Sequence, residues 1–219
     1  MRSGSVFTAG AFALCAAAFI LTITINNAEA PSPSESETLS ATEAAPAVRT
    51  LTVTAAGDCT FGTDINADPD LGFDAYAEQY GTDFFFENVR DIFSEDDLTI
   101  INFEGTLSDR GEREDKQFAF RGDPSYVDIL TGSSVEAANL ANNHSSDYGS
   151  VSLTDTQQYL TDAGILTCRG EDNVTVAEVN GVQVGLVGIN YLNDQMRTEL
   201  DSAINKADDL GAEVIILSM

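Results

Sequence analysis

Leu98-Thr99-Ile100-Ile101-Asn102-Phe103-Glu104-Gly105 (LTIINFEG) is the stretch on which the reading of the fold turns. Leu98 to Asn102 is a short, β-branched apolar run, the composition of a buried strand. It then breaks into Asn102, Glu104 and Gly105, which are polar or turn-forming. A parallel sheet gathers its useful groups where strands finish at the carboxyl edge, so polar groups at this break raise the question of what the neighbouring strands end on.

Working outward, Leu51 to Ala56 (LTVTAA) reads as an earlier strand that stops at Gly57-Asp58. Between the two, Phe84 to Phe93 places Phe85, Val89, Ile92 and Phe93 at helical spacing. Downstream, Pro124 opens a short helix ending near Gly132, and Val135 to Ala141 (VEAANLA) is a third strand running into Asn142-Asn143-His144, with Asp147 just beyond. Leu153 to Ala163 is a helix closed by Gly164. Val174–Val179 and Val182–Val187 flank Asn180-Gly181, a two-residue hairpin signal. Thr198 to Leu210 is a last helix, stopped by Gly211, and Val214 to Leu217 a final strand. Strands separated by helices over long connections imply parallel crossovers, so the expected class is α/β with a mixed sheet.

Composition bounds the rest. A chain of 219 residues with 43% hydrophobic residues holds one domain with a core, plus a tail. Thirty-six acidic against ten basic residues give a net charge of -26. A polyanion meets long-range repulsion from such a surface, and there is no basic patch, which excludes a nucleic-acid partner. The surplus acid serves cation binding, solubility in a salty medium, or no more than a solvated surface. Cys15, Cys59 and Cys168 form no C-x-x-C pair, which excludes a cysteine-based zinc site. Cys59 and Cys168 are the one pair available for a disulfide in an oxidising compartment, though sequence does not bring them together.

The N-terminus reads as an export segment. Arg2 precedes an uncharged run from Val6 to Ile25, and Ala28-Glu29-Ala30 fits a small-x-small cleavage site. Residues 1–30 are therefore a signal peptide or an uncleaved membrane anchor, since the run is also long enough to span a bilayer. Residues 31–48, rich in Pro, Ser, Thr, Ala and Glu, form a flexible tether. The folded part, 49–219, is expected outside the cytoplasm, secreted or held at the outer face of the membrane.

Three predicted strands thus end on ligand-type residues: Asp58; Asn102 and Glu104; and Asn143-His144. Taken singly each has a bland reading. A Gly-Asp turn is commonly just a turn, Asn and Gly commonly finish strands, and Asn suits left-handed turn geometry. Together, at one sheet edge, they offer carboxylates, an amide oxygen and the chain's sole imidazole, a donor set suited to a divalent cation.

Gly57-Asp58, Asn102-Phe103-Glu104-Gly105 and Ala141-Asn142-Asn143-His144 with Asp147 and Gly149 resemble, in order and spacing, the motifs of the CapA-type poly-γ-glutamate capsule biosynthesis family, within the calcineurin-like metallophosphatase superfamily. The resemblance spans Arg49 to Met219. It implies a sandwich of mixed β-sheets flanked by helices, here an incomplete domain. It implies metal-ligand roles for Asp58, Glu104 and Asn143, and a catalytic role for His144, which would contact or protonate the scissile group. It implies a divalent metal cofactor (Mn, Mg, Fe or Zn), and as partners a capsule polymer or the membrane subunits of its synthase. Two departures stand out. Cys59 follows Asp58 where the family more usually has an aliphatic residue. GAEVIILSM resembles the strand that leads into a His-Trp-Gly motif, yet ends at Met219, so the reading is of a C-terminally truncated sequence with few ligands and weak or no metal binding of its own. The functions in competition are a metal-dependent hydrolase or transferase, a non-catalytic accessory of a polymer synthase or exporter, and an extracellular domain without a site.

Overall fold

A computed structural model describes residues 19–26, 48–192 and 194–219. The signal or anchor reading of residues 1–30 falls outside these except for 19–26, and the tether reading of 31–48 falls outside except for Val48. Among the described residues no helix is long and apolar enough to cross a membrane.

In chain order the elements are β1 (Phe19–Asn26), β2 (Val48–Thr60), α1 (Phe73–Tyr80), α2 (Arg90–Ser94), β3 (Leu98–Glu104), β4 (Thr106–Leu107), β5 (Arg121–Gly122), α3 (Val127–Thr131), β6 (Ala137–Asn139), α4 (Gly149–Asp162), β7 (Leu166–Cys168), β8 (Thr175–Val179), β9 (Val182–Gly188), α5 (Met196–Asp209) and β10 (Val214–Ser218). One sheet has the order β1-β2-β3-β6-β7 and a second β10-β9-β8; β4 and β5 form a small ribbon. The strands β2, β3, β6 and β7 are mutually parallel, as the crossover reading requires. In the second sheet β9 pairs parallel to β10 and antiparallel to β8.

Three apolar clusters show the layering. Leu51, Val53, Leu98, Ile100, Ala137 and Cys168 of the first sheet pack with Val182, Val184 and Leu186 of the second, which makes the sandwich. On the outer face of the first sheet, Ala56, Cys59, Ile101, Phe103 and Ala138 meet Phe93, Ile129, Leu130 and Leu160 from the helical layer. On the outer face of the second, Val187 and Ile215 meet Ala203 and Ala207 of α5. The result is a metallophosphatase-like α/β sandwich of two mixed sheets flanked by helices. Arg49 fastens the layers together: its guanidinium donates to Glu213, with Nη1 to Oε2 at 2.9 Å, while Asn180 donates to Thr50 O.

Several local expectations are corrected. Phe84–Phe93 is not one helix but a 3-10 turn (Thr82–Phe84), irregular turns, and the short α2; the phenylalanines at helical spacing instead build an aromatic cluster in which Phe73 stacks on Phe85 with centroids 4.1 Å apart. The helix α1 went unread because its apolar pattern is weak and it buries no residue fully. The structure adds an edge strand, β1, within the stretch expected to serve export, and its alternating Ile23 and Ile25 pack on the sandwich core. Cys59 and Cys168 are free and lie in the cores on opposite faces of the sheet, so they cannot pair. The hairpin at Asn180-Gly181 stands as read, with φ of 48° and 75°.

The strand β2 does not stop at Gly57. It runs to Thr60 through a bulge: Ala56 pairs with Ile101 and Asp58 with Asn102, leaving Gly57 as the extra residue. Ala56 and Cys59 are three apart, yet both face the helical layer, which strict alternation forbids. The bulge absorbs the odd residue and turns Asp58 to the opposite face, the one carrying Asn102, Glu104 and Asn139.

Candidate functional site

The three strand ends meet as the sequence predicts. Asp58, Asn102 and Asn139 are register neighbours across β2, β3 and β6, and Asn142 to Asp147 form the turn that follows β6. At the centre sits Asn102, whose amide links the strands. It donates to Asp58 Oδ1 (2.7 Å) and accepts from Asn139 Nδ2 (3.1 Å) and Asn142 Nδ2 (3.0 Å). Asn142 donates also to Phe103 O (2.7 Å), and its own Oδ1 accepts from His144 N (3.0 Å), so the loop carrying the imidazole is pinned to β3. The second sheet presses on this network from above. A Cβ at Gly188 would lie 2.1 Å from Asn139 Oδ1, so only glycine fits there.

The side chain of His144 is fixed by Asp147. Its Nδ1 lies 2.9 Å from Asp147 Oδ2, and Asp147 is fully buried. Both oxygens of Asp147 are engaged: Oδ2 also accepts from Phe120 N (2.6 Å), and Oδ1 from Lys116 Nζ (2.5 Å). With Nδ1–H committed to the carboxylate, Nε2 is the nitrogen left to meet a ligand or exchange a proton. Phe120 stands against the imidazole, with ring centroids 4.8 Å apart.

Glu104 ends β3 beside Thr60 of β2. Burial, followed by repulsion from Asp58, holds its carboxyl above the usual carboxylate range, against the opposing pull of His144. Asp58, Glu104 and His144 are thus electrostatically coupled. The placement of Asn143 is different. It is exposed, its carbonyl accepts from Lys116 Nζ (2.7 Å), and its side-chain amide forms no hydrogen bond with Asp58 or Glu104 among the described residues. Cys59 is buried in the helical core, where desolvation and then the charges of Asp58 and Glu104 push its thiol up to about 12; it is a core residue and not a soft ligand.

Sequence reasoning missed Lys116 and Asn139 and undervalued Asn102. Lys116 sits in an irregular segment between β4 and β5, where no periodicity or spacing points to it. Asn139 hid inside an apolar run.

The donor set can be judged on its chemistry. Two carboxylates, one of them held above its ordinary range by burial and then by its neighbour, and an imidazole with one nitrogen uncommitted are donors suited to a divalent cation. Among the described residues no three His, Cys, Asp or Glu side chains close around one point. The described residues thus present these donors separately and not as a closed shell.

With this geometry in place, the relatives are informative. The profile of the bacterial capsule synthesis protein PGA_cap matches residues 52–215. The chain belongs to this capsule synthesis family. It is 28% identical over 148 residues to the capsule biosynthesis protein CapA of Bacillus anthracis, covering 63% of this chain and 34% of that one. It is 30% identical over 120 residues to the PGA biosynthesis protein CapA of Bacillus subtilis, covering 51% and 32%. A probable polyglutamine synthesis accessory protein of Mycobacterium tuberculosis is 38% identical over 101 residues, covering 42% and 27%. The matched part spans about a third of the length of these capsule synthesis relatives. All the predicted site residues, Asp58, Glu104, Asn143 and His144, fall inside the family match.

Proposed function

We propose that this protein serves capsule polymer synthesis outside the cytoplasm through a divalent-metal-dependent hydrolase or transferase site. Asp58 and Glu104 would be carboxylate ligands, Asn143 an amide ligand and His144 the acid–base group. The observation that carries the reading is the hydrogen-bonded alignment of three strand ends on Asn102, which holds the exposed Asp58 against the loop of His144. A bound divalent cation would lower the pKa of a coordinated water and so supply a nucleophile near neutrality.

The protein's own groups do the remaining work. Asn102 orients Asp58. Asp147 fixes the imidazole through Nδ1 and leaves Nε2 uncommitted, and Lys116 balances the buried charge of Asp147. Protonated, His144 can give its Nε2 proton to a leaving oxygen; neutral, it can take one from an attacking hydroxyl. A net charge of -26 resists direct contact with a polyanionic polymer, and cations bound at the carboxylates would bridge the two.

Metal analysis and capsule output of the complete protein, with Asp58→Ala and His144→Ala variants, test this. The expected result is stoichiometric metal in the native protein, lost in Asp58→Ala and retained in His144→Ala, with output abolished in both. Absent metal together with unchanged output in both variants would sink it. A second reading, a non-catalytic accessory of the polymer synthase, draws on the accessory role printed for the Mycobacterium tuberculosis relative. It expects output to survive His144→Ala while falling on loss of association with the synthase.

A further inference from the structure

Beside the strand ends lies a second feature that the metal site does not use. Arg169 follows β7, the next parallel strand along the sheet edge from β6. Its side chain is exposed and lines a small cleft, about 100 Å³, together with Ala141, Asn142, Gly170, Asn190 and Glu199. Asn142 is shared with the candidate site, so the cleft opens against it.

Arg169 is unusual in this molecule. Acid outnumbers base by 36 to 10, and the other cations are largely committed. Arg49, Arg90, Arg110, Arg113 and Lys116 pair with Glu213, Asp83, Asp155, Asp64 and Asp147. Arg121 and Lys206 donate to backbone carbonyls. Among the described residues only Arg169 and Arg197 have side chains with no such partner, and of these only Arg169 lines the cleft. Its backbone is held rigidly by reciprocal hydrogen bonds with Asn173 (2.8 and 3.2 Å).

The opposite wall is equally fixed. Glu199 of α5 folds over Gly170, where a Cβ would lie 2.3 Å from its Oε1. The helix is tied to the β7–β8 turn by Ser202 Oγ donating to Glu171 and by Lys206 Nζ donating to Glu171 O (2.8 Å). Asn190 turns its Oδ1 to Leu192 N (3.0 Å), which leaves its amide N–H groups as donors.

We propose that this cleft is a subsite for a carboxylate borne next to an amide or amine, with Arg169 as its anchor. The guanidinium matches a carboxylate in two parallel hydrogen bonds. Glu199 accepts an N–H, and Asn190 donates to a carbonyl or carboxylate oxygen. A phosphate, with no N–H to offer and more negative charge, would be repelled by Glu199. The matching unit is an amino-acid residue in a chain, as in a glutamyl polymer. The inference rests on the capsule-polymer reading and adds the residues that recognise the polymer beside the metal site.

Titration calorimetry of the full chain, freed of metal beforehand on a chelating resin and held in about 150 mM NaCl to screen the acidic surface, tests it with three probes. These are a γ-linked glutamate pentamer, the same pentamer with its α-carboxylates amidated, and inorganic phosphate. The pentamer is expected to bind, the amidated pentamer roughly tenfold more weakly, and phosphate not at all. Arg169→Gln should weaken pentamer binding roughly tenfold or more and erase the preference over the amidated form, with an unchanged Tm because the side chain is exposed. Arg169→Lys should restore part of the affinity. Equal pentamer binding by Arg169→Gln and native protein, phosphate binding as strong as the pentamer, or no pentamer binding by native protein would each overturn the proposal. Because the titration is metal-free, its outcome is separable from that of the metal reading.

Discussion

Two pairs of carboxylates flank the carboxyl edge of the first sheet, and they are used in opposite ways. Asp64 and Asp147 are buried and spent on the protein. Asp64 accepts from Arg113 (2.8 Å), Ala119 N (2.6 Å) and Asn66 N (2.8 Å), while Asp147 accepts from Lys116, Phe120 N and His144. Between them they order the irregular segment from Arg113 to Phe120, which forms no strand or helix of its own. Asp58 and Glu104 have few protein partners: Asn102 takes one oxygen of Asp58, and Glu104 leans on Thr60. The closed pair builds the wall of the site and the open pair faces whatever occupies it. A buried carboxylate with both oxygens hydrogen-bonded supports structure, whereas one whose ionised form is penalised by burial and a like charge is the kind that a cation would stabilise.

The comparison is broken most severely at Asp147. Replacing it with Ala leaves the Lys116 charge without its counter-ion and the Phe120 N–H without an acceptor, and should cost about 3–5 kcal/mol in urea unfolding. A loss under about 1 kcal/mol would show that the closed pair is not structural. Gly188→Ala tests the wall from the other sheet. Its Cβ collides with Asn139, so a loss of about 1–3 kcal/mol is expected, together with weaker metal retention as Asn102 and Asp58 shift.

Acid should undo the closed pair in a defined window. Burial raises Asp64, but the hydrogen bonds from Arg113, Asn66 and Ala119 outweigh it and hold the carboxyl at about 2. An unfolded aspartate titrates near ~3.9. Since the folded value is the lower, the unfolded chain takes up the proton first. The contribution is present above pH ~4, declines below it and is gone once pH falls through about 2. Unfolding midpoints measured across that window should fall less steeply in Asp64→Asn than in the native protein.

The smallest stability effects belong to the open pair. Asp58→Asn should lie within about 0.5 kcal/mol of native, yet remove bound metal from the complete protein. Glu104→Gln should be neutral or stabilising by at most about 0.5 kcal/mol in metal-free protein at neutral pH, because its ionised form is disfavoured in the fold. A clear destabilisation by either substitution would place these residues with the closed pair instead.

Much of this was legible in residue order. The hairpin at Asn180-Gly181 and the helix stops at Gly164 and Gly211 were readable because their hydrogen bonds close within a few residues, so local chemistry decides them. The parallel strands were readable as apolar runs too far apart for hairpins. The three polar strand ends were visible for the same reason, and with them Asp58, Glu104, Asn143 and His144. What escaped was set by distant partners. The aromatic pattern at Phe84–Phe93 looks helical until Phe73, Phe85 and Tyr126 are seen to stack across the chain. Lys116 gains its role only from Asp147, thirty-one positions away.

By itself, then, the sequence determined the α/β class, the parallel crossovers, the sheet edge where polar strand ends gather and the strongly acidic surface. These follow from periodicity, turn chemistry and charge, which act locally or on the whole chain. Only the tertiary structure decided which way the key side chains face. Gly57 reads as a stop but is a bulge, and its identity as a bulge depends on pairing with β3 over forty residues later. A side-chain period of two means that one extra residue reverses every later side chain. That single insertion sends Cys59 into the helical core and brings Asp58 round to meet Asn102.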